Sequence, residues 1–143
     1  MSRPSPAHRD EFRHWATFAT RWADNDVYGH VNNTIYYQWF DSAVNAWMIQ
    51  QGLLDFDQGD PIALVVETRC TYFAPLSFPE RVEVGLAAAS VGRSSIRYRI
   101  GIFADGGETA AAAGEFVHVV VARGSRQPVD IPESWRRALE AIG

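Results

Sequence analysis

The sequence predicts an α+β domain in which a five-stranded antiparallel sheet wraps around one long central helix. Three observations carry that prediction. Between Thr34 and Gln51 the chain is apolar around most of the circumference of a helix, and such a helix must be buried on most sides. Stretches after it alternate apolar and polar residues with the period of two that marks a half-buried strand. Too few helices separate those strands for parallel crossovers, which leaves antiparallel pairing, and the sheet must curl to cover the helix. A length of 143 residues with 47% apolar content suits one domain with a real core.

Residues 1–10 read as a loose N-terminal arm, and residues 11–143 as the single domain. From Phe12 to Trp22, an extended chain places Phe12, His14, Ala16, Phe18 and Trp22 on one face, which predicts a first strand ending near Trp22. The helix follows, with Asn32 or Asn33 as its cap and Gly52 as its stop. Its polar residues Gln38, Asp41, Ser42 and Asn45 form one narrow stripe. Residues 62–73 then put Leu64, Val66, Thr68, Cys70 and Tyr72 on one face of a strand and Glu67, Arg69 and Thr71 on the other. Residues 81–89 group Val82, Val84 and Leu86. Residues 94–104 turn Ile96, Tyr98, Ile100 and Ile102 inward and Arg97 and Arg99 outward. Asp105-Gly106-Gly107 is a hairpin signal, Glu108 to Ala122 completes the sheet, and a short helix follows Pro132.

Composition narrows the function classes. No apolar run approaches the roughly 18 to 20 residues of a membrane-spanning helix. The opening MSRPSPAHRDEF lacks the apolar centre of a signal peptide, so a cytoplasmic protein with no membrane partner is expected. Cys70 is the single cysteine, which excludes an internal disulfide and a cysteine-rich zinc site and predicts a small core residue. Net charge is −4 and all 13 basic residues are arginine, with no basic run, which argues against a nucleic-acid partner. Arginine matches phosphates bidentately, so a phosphorylated small ligand stays in view.

The chemistry concentrates in residues 21–33, RWADNDVYGHVNN. Asp24, Asp26, His30, Asn32 and Asn33 share one turn-prone segment ahead of the helix, whose N-terminus carries free N–H groups and partial positive charge. A carboxylate beside such donors can attack a carbonyl while the donors hold the oxyanion, or it can activate water. On spacing alone Asp26 reads equally well as a turn residue. Asp24 points the same way in extended chain and reads as a structural turn residue. His30, with no second histidine nearby, does not suggest a metal; it reads as an orienting group or as a hydrogen-bonded imidazole.

The order of elements, together with RWADNDVYGHVNNTIYYQWFD, VVETRCTYFAPLSFPERVEV and SVGRSSIRYRI, resembles the hotdog fold and the 4-hydroxybenzoyl-CoA thioesterase-like family of acyl-CoA thioesterases. The resemblance spans roughly residues 14–123. It implies that Asp26 is the catalytic carboxylate and that the Asn33 main-chain N–H holds the oxyanion; His30, four residues after Asp26, is placed to orient water, hold the carboxylate or touch the thioester. Other hotdog thioesterases carry their carboxylate on the long helix, which makes Asp41 the second candidate. Arg93, Ser94 and Ser95, with Arg123 and Arg126, are candidates for the phosphates of coenzyme A; Tyr28, Trp39 and Tyr72 are candidate pocket walls. No cofactor or metal is implied, since coenzyme A is part of the substrate.

HVNN also resembles acyl-carrier-protein thioesterases, so that carrier is an alternative to coenzyme A. An enoyl-CoA hydratase-like enzyme is a second alternative, although Asp26 and His30 stand four residues apart where those enzymes space Asp and His by five. A non-catalytic acyl-CoA-binding protein is the third, and it would leave Asp26 without a task. One sheet around one helix leaves edges open, and a homodimer or homotetramer is expected to close them.

Overall fold

The computed structural model describes residues 4–143. Strand β1 (His14–Ala19) is followed by helix α1 (Asn33–Gln50) and then by β2 (Ile62–Tyr72), β3 (Arg81–Val91), β4 (Ser95–Ala104), β5 (Ala112–Val121) and helix α2 (Glu133–Glu140). The five strands form one sheet in the order β1-β3-β4-β5-β2, with every neighbouring pair antiparallel. Among the described residues no helix is long and apolar enough to cross a membrane.

Helix α1 ends at a Gln51 C-cap, with Gly52 at φ +73°, the left-handed conformation that glycine takes without strain. Its buried residues, Tyr36, Trp39, Phe40, Ala43, Val44, Trp47 and Met48, pack against Val82, Val84 and Leu86 of β3, Ile96 to Ile102 of β4, and Phe116 and Val120 of β5. The inward face read for β4 is the observed one. At Gly114 of β5 a Cβ would strike both the Phe40 ring and the Arg69 carbonyl, so the missing side chain is what lets α1 lie this close to the sheet. Gln38, Asp41 and Ser42 of the polar stripe stay exposed.

Four sequence expectations are corrected. The first strand ends at Ala19; Trp22 opens a single 3-10 turn, Trp22–Asp24, and is 77% exposed. Phe12 does not share the face of Ala16 and Phe18. A bend at Arg13 breaks the alternation, and the Phe12 ring fills the space over Gly85 and Gly101 on the outer face of the sheet, beside Trp15 and Phe103. The loose arm is anchored from Ala7 onward. Ala110 N–H donates to the Ala7 carbonyl (2.9 Å) and Arg9 N–H to the Glu108 carbonyl (3.0 Å), while the Arg9 guanidinium reaches Glu83 at 2.8 Å across the Trp15 ring. Residues 1–3 of that arm lie outside the described residues. In β2 a bulge between Val65 and Glu67 adds one residue to the alternation, so Ala63 joins Cys70 against the core.

Among the described residues strand β2 is an edge strand paired with β5 alone, and Leu64, Val65 and Val66 along it are 38%, 46% and 60% exposed. At the other side, α2 covers β3 with Trp135 and Leu139, and the chain closes with Ala88 N–H on the Ile142 carbonyl (3.0 Å).

Candidate active site

Two aspartates two residues apart meet different surroundings. Asp24 is 1% exposed; its Oδ2 accepts the Arg21 N–H (2.8 Å) and its Oδ1 accepts both Nε (3.0 Å) and a terminal nitrogen (2.7 Å) of the Arg21 guanidinium. A carboxylate that buried needs such partners. Its carbonyl also accepts the Asn32 N–H (2.8 Å), so Asp24 ties the turn to the helix entrance and has a structural task.

From Asn25 to Val31 the chain forms a narrow hairpin. Asn25 and Val31 bridge, Asp26 N–H donates to the His30 carbonyl (2.8 Å), and Gly29 N–H donates to the Asp26 carbonyl (3.1 Å) with Gly29 at φ +81°. Asp26 is half-buried. Its Oδ1 accepts the Tyr28 N–H at 2.8 Å, the local bond that makes aspartate a turn residue, and among the described residues Oδ2 has no hydrogen-bond partner. Turn chemistry and a free carboxylate oxygen therefore coexist in one side chain.

Residues 74–80 brace this hairpin from outside. Val31 N–H donates to the Leu76 carbonyl (2.7 Å), the Ser77 hydroxyl to the Gly29 carbonyl (2.8 Å) and Phe78 N–H to the Asn25 side-chain oxygen (3.0 Å). Phe78 also meets Trp22 edge-on at 6.0 Å. Nothing in the order of residues marks these partners, about fifty positions away along the chain, and the sequence reading missed them.

The helix cap is Asn32 and not Asn33. Asn32 Oδ1 accepts the Thr34 N–H (2.9 Å) and hydroxyl (2.8 Å), and the Asn32 carbonyl accepts the Ile35 N–H (3.0 Å). Asn33 is the first helical residue, and among the described residues its N–H has no acceptor. Capping thus removes its neighbours from play and leaves this donor at the positive end of α1. The Asn33 carbonyl accepts the Tyr72 hydroxyl at 3.0 Å.

A cleft of about 320 Å³ opens here, lined by His30, Val31, Asn33, Tyr36, Tyr72, Phe73, Ala74 and Pro75. Asp26 is not part of its wall but is hydrogen-bonded to His30, which is. Tyr36 and Tyr72 meet edge-on at 5.0 Å. Burial pushes the Tyr36 phenol up to about 12 and the Cys70 thiol up to about 11; burial and then the neighbouring Cys70 raise Tyr72 as well. These three groups are protonated at neutral pH, which fits Cys70 as a core residue and Tyr72 as a hydrogen-bond donor. Among the described residues no three His, Cys, Asp or Glu side chains gather into a metal-sized group.

Asp26, His30 and Asn33 are therefore brought together, and the remaining candidates are not. Asp41 is exposed, because the polar stripe faces away from the sheet, and it accepts the Asn45 side-chain amide at 3.0 Å. Trp39 is core. Tyr28 lends Asp26 its N–H while its ring, 83% exposed, stands at the hairpin tip. Arg93 pairs with Asp130 at 2.7 Å. Ser94 accepts the Val120 N–H on its carbonyl (2.7 Å), and Ser95 opens β4. The Arg123 guanidinium binds the carbonyls of Asp55 (3.1 Å), Phe56 (3.2 Å) and Gly59. Ser95 pairs with Val119 and Ile62 with Val121, whereas Tyr72 beside the cleft pairs with Ala112, so these arginines and serines lie roughly 25 to 35 Å along the strands from the cleft.

Comparison with known proteins bears on the family and the fold. A family model described as the thioesterase-like superfamily matches residues 20–139. The crystal structure of the PA5185 protein from Pseudomonas aeruginosa strain PAO1 is 48% identical, with a TM-score of 0.92 and 96% of each chain covered. The PA2801 protein of Pseudomonas aeruginosa, provisionally described as a thioesterase, is 31% identical with a TM-score of 0.81, covering 88% of this chain and 97% of its own. Slr0204 from Synechocystis, a 1,4-dihydroxy-2-naphthoyl-CoA thioesterase, shares the fold at 21% identity and a TM-score of 0.78, over 87% of this chain and 93% of its own. No curated protein matches the chain.

Proposed function

The chain belongs to the thioesterase-like superfamily and is a thioester hydrolase on the hotdog fold, and from that premise we propose that its substrate is an acyl- or aryl-CoA thioester hydrolysed through Asp26. The observation that carries this reading is an Asp26 carboxylate oxygen in the hairpin and the Asn33 N–H at the start of the helix that follows it, both without a hydrogen-bond partner among the described residues. A thioester carbonyl entering the cleft would direct its oxygen to the Asn33 N–H at the positive end of α1. Its carbon would then face Asp26.

Attack by Oδ2 forms an acyl-aspartyl anhydride and expels the coenzyme A thiolate, and water then cleaves the anhydride; alternatively Oδ2 takes the proton of an attacking water. In both routes the helix donor stabilises charge that develops on the carbonyl oxygen. His30 lines the cleft and orients the water. No cofactor beyond the coenzyme A of the substrate enters either route.

Two copies of the chain complete the site in this reading. The unpaired, apolar edge of β2 invites a second β2 to pair with it, giving a homodimer. Antiparallel pairing of the two edges carries the far end of one sheet to the cleft of the other. The partner's Arg93, the partner's Ser94 and the partner's Ser95 would then stand a few strand spacings of about 5 Å from Tyr72, within reach of the coenzyme A phosphates. Arg123 already serves three carbonyls and has a smaller share. Tyr28 forms an outer wall for the carrier arm.

Thiol release from short, medium, long-chain and aromatic CoA esters tests the reading and names the acyl class. A panel that stays intact while acyl-carrier-protein thioesters are cleaved would overturn coenzyme A as carrier. A panel in which enoyl-CoA is hydrated and nothing is hydrolysed would overturn the reaction.

A further inference from the structure

Tyr72 sits at the last position of the edge strand β2, yet its hydroxyl bonds to the first residue of α1. The Asn33 carbonyl that it engages belongs to the same residue as the unpartnered N–H. Helix ends fray, and the first residue has no hydrogen bond from its own N–H to hold it. The plane of that N–H is held in part by the Asn32 carbonyl of the same peptide unit, which accepts the Ile35 N–H (3.0 Å), and two further attachments hold the turn around it. Asn32 fixes the cap from within the chain, and Tyr72 fixes Asn33 from the sheet at 3.0 Å. The Tyr72 ring is itself held edge-on at 5.0 Å by Tyr36, which is 3% exposed, so the hydroxyl is aimed by a buried neighbour.

We propose that Tyr72 is a positioning residue of the oxyanion site: its phenol clamps the first residue of α1 to the end of β2 and so sets the direction of the Asn33 N–H. The proposal rests on the reading of Asn33 as the oxyanion donor given above. Catalysis by such a donor depends on its alignment with the oxygen of the tetrahedral intermediate, not with the ground-state carbonyl. Loss of the clamp therefore weakens transition-state binding and leaves substrate binding nearly untouched.

The test is Tyr72→Phe, which keeps the ring on Tyr36 and removes only the hydroxyl. Steady-state hydrolysis of the best CoA ester is measured beside the affinity for two analogues of that ester. One is a trifluoromethyl ketone that binds as a tetrahedral alkoxide; the other is a non-hydrolysable thioether. The expected result is a kcat lower by about tenfold with KM within about twofold. Affinity for the ketone falls by the same factor, and affinity for the thioether does not change. An unchanged kcat, or a matching loss of both analogues, overturns the clamp while leaving thioester hydrolysis standing. A variant that has lost its cooperative unfolding transition also overturns it, since the phenol would then hold the fold and not the donor. Wild type that neither hydrolyses the ester nor binds the ketone overturns the coenzyme A reading itself.

Discussion

At its entrance α1 presents polar groups and an N–H with no acceptor among the described residues to an open cleft, whereas its apolar face from Trp39 to Met48 is sealed against the sheet. The entrance keeps Asp26 half-buried with one free oxygen and binds its loops by hydrogen bonds to residues 74–80. The body has the reverse character: Phe40 lies against Gly114, Trp47 meets Tyr98 at 6.2 Å, and even Tyr98 Oη and His118 Nδ1 are enclosed with no partner among the described residues. Stability is concentrated where apolar area is buried, and polar groups held away from their own partners are what a substrate can use. One helix thus supports both because its two parts face different solvents.

If that division holds, changes at the entrance will move rate and changes in the body will move stability. The largest effect is expected from Asp26→Asn. Turnover of the best CoA ester should fall at least about a hundredfold, near 3 kcal/mol of barrier, with the unfolding free energy almost unchanged. Equal turnover in mutant and wild type would remove Asp26 from the reaction and make Asp41 the next residue to change.

The body should show its own signature with pH. Burial lowers His118 from its ordinary 6.5 to about 4, so the folded chain keeps it neutral while the unfolded chain protonates it. Stability is therefore unaffected above pH 6.5 and is lost as pH falls from 6.5 towards 4, by an amount on the order of 3 kcal/mol. Denaturant unfolding across that window checks the slope, and His118→Phe should remove this contribution. A wild type equally stable at both ends of the window would mean that the imidazole finds a partner in the folded chain.

Gly114→Ala places a methyl group against Phe40 and the Arg69 carbonyl and should destabilise the chain by about 2 kcal/mol, since neither the ring nor the backbone has room to retreat. Refolded or surviving protein should hydrolyse at the wild-type rate per folded molecule; a selective loss of kcat would blur the line between entrance and body. The smallest effect belongs to Asn32→Ala. Removal of the cap should cost about 1 kcal/mol in denaturant unfolding and lower kcat a few-fold, because the first turn contributes to both.

Much of this division was legible in the sequence. The apolar circumference of Thr34 to Gln51 identified a buried helix, the period-two stretches identified strands, and the crowding of Asp26, His30 and Asn33 ahead of the helix pointed to the candidate site. Each of these signals is local, since the spacing of side chains along one element fixes which of them share a face. Tertiary structure decided what depends on meetings between distant segments. A bend at Arg13 sent Phe12 to the outer face, and a bulge at Val66 reset the faces of β2. Arg21 claimed Asp24, the cap at Asn32 left the Asn33 N–H without an acceptor among the described residues, and the end of β2 brought Tyr72 onto the Asn33 carbonyl. Periodicity cannot see an extra residue or a hydrogen bond across the fold, because both are set by which strand or loop packs alongside and not by the order of residues within it.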